Sequence, residues 1–212
     1  MIRFNIKLAI RNLAKNKVYS FLIIGGFAIG FTACILIGLF YHSETSVNKN
    51  FENHEQIYRL YDVKMNRCNL NWDLFPVLAQ EYADVKDACP LEYATGIPLI
   101  VKNETAHTNA EVKHLVSTTN NFFNIFSVKI LESLTTKPLE GKESMAISKS
   151  MAKKLFSSQD PLGQMVNVNN LFIGTITSIF DDLPNNSSFQ AEIVMNSENQ
   201  KFRMSNTVSN GK

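Results

Sequence analysis

The sequence predicts an α+β domain held outside a membrane by one transmembrane α-helix. Three observations predict it. Residues 19–41 (YSFLIIGGFAIGFTACILIGLFY) carry no charge and no proline. Basic residues crowd the segment before that run, whereas the rest of the chain is net acidic. The residues after it mix strand-like and helix-like patterns without a regular βαβ rhythm, which separates an α+β domain from a doubly wound sheet.

The basic segment, residues 1–17, comes first. Ile2, Ile6, Ala9, Ile10 and Leu13 recur at helical spacing, with Arg3, Lys7, Arg11 and Lys15 at i+4 steps on another face. This pattern predicts a short amphipathic helix in the inner membrane interface. The alternative is that these residues are the first turns of one long helix. Asn16-Lys17 is the expected bend into the span.

The span is placed at residues 18–42. At about 1.5 Å per residue, the uncharged run makes a helix of about 34 Å, enough for a hydrocarbon core of about 30 Å. Twelve Leu, Ile and Phe residues lie in it, and each favours insertion by about 0.3–0.6 kcal/mol. A core helix of a soluble protein keeps a polar stripe, and this run has none. A cleaved signal fits poorly: the run exceeds a signal's apolar region, and Ser43-Glu44-Thr45 is a weak cleavage site.

Charge sets the orientation. Arg3, Lys7, Arg11, Lys15 and Lys17 make residues 1–41 +5 with no acid, and 16 basic against 19 acidic residues remain, a net −3. Positive residues beside a span stay cytoplasmic, so residues 43–212 are expected outside. The basic segment then reads as a topology signal and lipid headgroup contact, not as a nucleic-acid site. Within the span, Gly26, Gly30, Cys34 and Gly38 fall at i+4 intervals. Such a small-residue stripe lets another helix approach closely.

The outer domain is placed at residues 43–195. Residues 43–53 read as a polar stalk or helix extension, and 56–65 (QIYRLYDVKM) as a first strand. Residues 73–83 carry Leu74, Val77, Leu78 and Tyr82 near helical spacing, with Pro76 tolerated in the first turn. Residues 88–95, 97–102 and 111–117 read as strands. Residues 120–126 form a short aromatic helix, 144–148 a strand, and 149–156 a helix with Ser148 as N-cap. Asp160-Pro161-Leu162-Gly163 is a turn. Residues 164–168 and 171–180 flank Asn169-Asn170, whose tolerance of left-handed backbone suits a hairpin. Residues 189–195 make a last strand, with Phe189, Ala191, Ile193 and Met195 on one face. Residues 196–212 form a polar tail.

Chemistry-bearing motifs are missing. Gly141-Lys142 is followed by Glu143, and Thr136 stands where a phosphate-binding loop needs its first glycine. His54-Glu55 lacks a second histidine at Tyr58, and His107 and His114 read as surface residues. Asp181 and Asp182 are expected to close a turn, and Trp72 with Phe122, Phe123 and Phe126 to sit in a core. No catalytic residue, metal or cofactor is expected. Cys34 lies in the span. Cys68 and Cys89 lie outside, where a disulfide is permitted, and both pairing states stay open.

Five motifs in series carry a resemblance: Leu8–Lys17 (LAIRNLAKNK), Asn53–Arg59 (NHEQIYR), Asn121–Phe126 (NFFNIF), Ile147–Phe156 (ISKSMAKKLF) followed by Asp160–Gly163 (DPLG), and Asp182–Ser187 (DLPNNS). In this order, over roughly residues 3–195, they resemble the MacB/FtsX-like permeases of ABC transporters. The resemblance implies a MacB-like periplasmic core behind one transmembrane helix, in the inner (plasma) membrane with residues 43–212 periplasmic. It implies a domain that transmits motion and catalyses nothing. The implied partners are a cytoplasmic ABC ATPase, a second permease subunit in a homo- or heterodimer, and membrane lipid. Ser133 and Asn170 stand where the family often has glycine. Family members carry three further spans after the core domain, so the resemblance implies a truncated permease. The alternative is a single-span anchored binding or scaffold protein without an ATPase.

Overall fold

The computed structural model describes residues 11, 13, 15–64, 70–94, 99–103, 108–157, 159–170 and 172–198. The chain divides into two units, Met1–Val47 and Asn48–Lys212.

The first unit is built on α1, Lys17–Thr45, whose buried side chain is Ser20. Twenty-nine residues at 1.5 Å each make about 43 Å, longer than a bilayer core. Its hydroxyls are satisfied internally: Thr32 Oγ1 donates to the Ala28 carbonyl at 2.7 Å and Thr45 Oγ1 to Tyr41 at 2.8 Å. Neither hydroxyl is left without a partner, as a helix in an apolar medium requires. Asn16 leaves the helical region, with φ −108° and ψ 60°. Ser20 braces this bend: its hydroxyl donates to the Leu13 carbonyl at 2.9 Å and its amide to Asn16 at 2.9 Å.

The second unit is one mixed sheet with packing on both faces. Its strands are β1 Glu92–Tyr93, β2 Leu99–Asn103, β3 Thr108–Val112, β4 Leu115–Thr118, β5 Ile130–Ser133, β6 Ser144–Ser148, β7 Met165–Val168, β8 Phe172–Phe180 and β9 Ile193–Asn196. Their order is β1-β4-β9-β6-β8-β7-β2-β3, and β5 takes the edge of β8 beyond β7. The β4·β9 and β6·β8 pairs are parallel, and the others antiparallel. Thr177 is a bulge in β8 opposite β6. Its hydroxyl lies against the Pro138 carbonyl at 2.6 Å and the Met145 carbonyl at 3.1 Å, which holds the local bend.

Central strands are apolar on both sides because both faces are covered. Met145, Ile147, Ile193, Met195 and Leu115 point to one face, under Met151, Leu155 and Phe156 of α4, Lys149–Phe156. Ala146, Val194 and Val116 point to the other, against Phe51, Phe123, Phe180 and Phe122 of α3, Asn121–Ile125. Ser148 caps α4 by accepting the Met151 amide at 3.3 Å. Asn169 and Asn170, with φ of 51° and 57°, make the tight turn between β7 and β8.

Several expectations are corrected. Residues 56–64 do not form a sheet strand: His54–Gln56 is a 3-10 turn, and Tyr58 and Val63 are 83% and 84% exposed. Strand propensity counts only where a partner edge is available. The stretch 111–117 breaks into β3 and β4 at Lys113-His114, because the Glu192 carboxylate accepts both amides there at 2.6 and 3.1 Å. Of 88–94, only Glu92–Tyr93 is strand. Helix α2 is Leu74–Glu81, and it buries no residue. Phe189 and Ala191 face the aromatic side while Ile193 and Met195 face α4, since regular strand begins only at Ile193. Strand β5 has no alternating pattern in sequence; three of its four residues are exposed.

Candidate functional site

Gly26, Gly30, Cys34 and Gly38 lie along α1 on a strip of about 18 Å. A Cβ placed on Gly26, Gly30 or Gly38 would meet nothing within 4 Å. Phe27 and Phe31 stack beside the strip at 6.3 Å. Arg11, Lys15 and Lys17 are exposed around the Asn16 bend. Arg3, Lys7, the amphipathic pattern of residues 1–10, Cys68, His107 and the tail 199–212 lie outside the described residues.

The start of the outer unit is held by several hydrogen bonds and ring contacts. Asn48 takes a left-handed conformation, φ 62°, which asparagine tolerates. Its amide donates to the Asn186 carbonyl at 3.2 Å. Its side chain bonds Ser188 twice, Nδ2 to Oγ at 3.0 Å and Oδ1 from the Ser188 amide at 2.7 Å. Asn50 Nδ2 donates to Asn186 Oδ1 at 2.6 Å. Three residues after Asn48, Phe51 is 4% exposed. Its ring centroid lies 5.5 Å from Phe189, nearly parallel, and 5.5 Å from Phe126, nearly perpendicular. Phe126 meets Phe189 at 4.5 Å and Phe122 at 5.3 Å, and Phe122 meets Phe123 at 5.2 Å. Such pairs are each worth about 0.5–1.5 kcal/mol beyond area burial.

Two of the sequence motifs therefore converge. The aromatic helix 121–126 and Phe189 supply the rings, the 182–187 loop and Ser188 supply the polar partners, and residues 48–51 are clasped between them. Sequence reasoning placed Phe122, Phe123 and Phe126 in a core, and they are there. It missed Phe51, which stood in a stretch read as polar stalk. The available signal was a single large ring just past the span.

Beside this clasp, Ser148, Ser150, Asp182, Pro184, Gln190 and Glu192 line a cleft of about 470 Å³. Its carboxylates hold the fold. Asp182 accepts the Ser150 amide at 3.1 Å and hydroxyl at 2.7 Å, so it anchors the start of α4 instead of closing a turn. Glu192 holds the β3–β4 break. Neither is paired with a nucleophile and base in reacting geometry. Among the described residues, no group of three His, Cys, Asp or Glu could hold a metal ion.

Two acids elsewhere are shifted. Burial pushes the Cys89 thiol up to about 12, with the Thr118 hydrogen bond opposing and Asp87 adding to the rise. Burial likewise raises Tyr93 to about 12, against the pull of Arg59. Both groups are held neutral, the reverse of a reactive thiol.

A clasped start, a two-faced mixed sheet and an apolar helix ahead of it are the geometry to be matched. The family model of the MacB-like periplasmic core domain matches residues 20–210. This chain belongs to that family. Three solved structures share the fold. The periplasmic region of MacB from Actinobacillus actinomycetemcomitans has 15% identity, 70% of each chain covered and a TM-score of 0.50. The extracellular domain of the noncanonic ABC-type transporter YknZ from Gram-positive bacteria has 15% identity, 70% of this chain and 75% of that chain covered, and a TM-score of 0.52. A domain assigned to a permease protein of Porphyromonas gingivalis has 23% identity and a TM-score of 0.50, covering 58% of this chain and spanning 56% of the other. Among curated proteins, none matches significantly. The MacB-like periplasmic core domain is a component of ABC transporter permeases. Its N-terminal apolar helix here is long enough to anchor it in a membrane.

Proposed function

We propose that this chain is the membrane-anchored part of an ABC permease whose outer domain transmits ATP-driven motion for export or envelope remodelling. One observation carries the reading: a single family match runs through both α1 and the outer sheet, so the apolar helix and the MacB-like domain form one inherited piece. The N-terminus lies in the cytoplasm and the outer domain in the periplasm, in the inner membrane. Arg11, Lys15 and Lys17, with Arg3 and Lys7, hold that orientation and meet anionic lipid headgroups. Gly26, Gly30, Cys34 and Gly38 receive a neighbouring helix of a second permease subunit. ATP hydrolysis belongs to a cytoplasmic ABC ATPase.

Affinity purification of the tagged full chain from membranes tests this reading. Recovery of a nucleotide-binding subunit is expected. Repeated recovery of envelope proteins alone overturns it in favour of an anchored scaffold. Protease treatment of sealed vesicles checks the orientation: residues 43–212 should be protected in inside-out vesicles.

A further inference from the structure

We propose that the clasp of Asn48, Asn50 and Phe51 on residues 184–190 is the joint through which tension from the span enters the sheet, delivering it to the central strands β8 and β9. This deepens the motion-transmission reading above and rests on it. The covalent path is short. Helix α1 ends at Thr45, and Asn48, three residues on, is held by the outer unit. Asn48 and Asn50 bond to Asn186 and Ser188, and Phe51 stacks on Phe189, all in the loop between the end of β8 at Phe180 and the start of β9 at Ile193; Phe51 also meets Phe126, just past α3. A pull on Asn48 is therefore taken up by the loop that joins those two strands.

The loop is built to pass force on without unravelling. Ser187 donates its amide to the Pro184 carbonyl at 3.1 Å, and its hydroxyl lies against the Pro184 and Phe189 carbonyls. Gln190 Nε2 donates to Pro184 at 2.8 Å. Its two ends are pinned as well. The Asp181 amide donates to Lys129, the Asp182 carboxylate holds Ser150, and the Glu192 carboxylate holds the amides of Lys113 and His114. Beyond the loop, β8 pairs with β6, β7 and β5, and β9 pairs with β4 and β6. Further along the chain, Ile57 packs against the same aromatic cluster, Asp87 and Ala88 are tied to Asn121, and the Pro90 carbonyl is tied to Thr118.

Single-molecule pulling on the full chain in bicelles tests the joint. Handles are coupled through non-natural residues at positions 43 and 159, and no ATPase is needed. If the joint carries the load, the wild type shows no slack before the sheet ruptures. In Phe51→Ala an early low-force step should release the chain from residue 48 to its next packed side chain, Ile57, roughly 30 Å of chain. Asn48→Ala/Asn50→Ala should lower the force at which slack first appears. An early step in the wild type at the same force as in Phe51→Ala overturns the proposal. A variant series without any early step overturns it too. Should Phe51→Ala fail to fold, oxidised Asn48→Cys/Ser188→Cys decides: a rupture pattern like the wild type supports the joint, and removal of an early wild-type step refutes it. Failure to recover an ATPase leaves this outcome untouched, so the joint and the transporter reading fail separately.

Discussion

Gly174 is the most exacting packing position in the sheet. A Cβ there would lie 2.5 Å from Met145 Cε, 2.7 Å from Sδ and 2.9 Å from Cγ. Relaxed carbon contacts sit at about 3.5–4.0 Å, so three atoms overlap by about 1 Å. The methyl end of Met145 can swing, but Cγ is one bond from Cβ in a side chain that is 0% exposed. Relief therefore requires a new χ1 inside a filled core. Overpacking of this kind costs about 1–3 kcal/mol. Replacing glycine by alanine within a strand returns about 0.5–1 kcal/mol. Gly174→Ala should then destabilise the domain by up to about 2.5 kcal/mol, a melting drop of up to roughly 10 °C. Met145→Ala alone should cost about 2–5 kcal/mol through the cavity it leaves. In the double variant the two changes fit each other, because the new methyl enters that cavity. The double variant should therefore be more stable than the sum of the single losses by at least about 1 kcal/mol. Urea unfolding of the full chain in micelles, followed by circular dichroism, measures all four corners of the cycle. Strict additivity in the cycle would refute the claim that Met145 is seated on the bare Cα of β8.

The other outcomes follow from single contacts. Phe51→Ala should cost about 3–5 kcal/mol in equilibrium unfolding, and a loss under about 1 kcal/mol would remove Phe51 from the core. Asp182→Ala should cost about 1–2 kcal/mol by leaving the first turn of α4 unanchored, read as earlier hydrogen exchange at Ser150 and Met151. With Cys34 and Cys68 replaced by serine, Cys89 should react with a thiol reagent at pH 8 two to three orders of magnitude more slowly than a free thiol, since only its thiolate attacks. Its folded value of about 12 exceeds its ordinary 9.0. Stability from the neutral thiol is therefore complete below about pH 9 and lost as pH rises towards 12, and Cys89→Ser should flatten that decline. If the small-residue strip receives a second copy, oxidant should crosslink Cys34 in membranes, and Gly30→Leu should cut the yield several-fold; equal yields argue for a different face.

Local signals were readable where a short stretch closes its own hydrogen bonds. Ser148 capping α4, the left-handed Asn169-Asn170 turn and the α4 face of Met151, Ala152, Leu155 and Phe156 depend on neighbours within a few residues, so their pattern survives in one dimension. Residues 56–64 show the opposite. Their composition favours a strand, but no run of them pairs as one, and pairing is a property of two segments. The 111–117 stretch reads as continuous until Glu192, far along the chain, takes its amides. Phe189 to Met195 looks like one face until the same Glu192 delays the strand to Ile193. Phe51 is the sharpest case: its role depends on Phe126 and Phe189, which sequence distance hides.

From the amino acids alone came the apolar helix long enough to span a membrane, the α+β class and the family, because hydropathy and motif order need no partner to be read. Only the folded chain decided which strands lie at the centre, why two carboxylates serve as fasteners, and where the span's successor residues are gripped. Those depend on side chains meeting across more than a hundred residues, and the free energy of such meetings exists only once the sheet has closed around them.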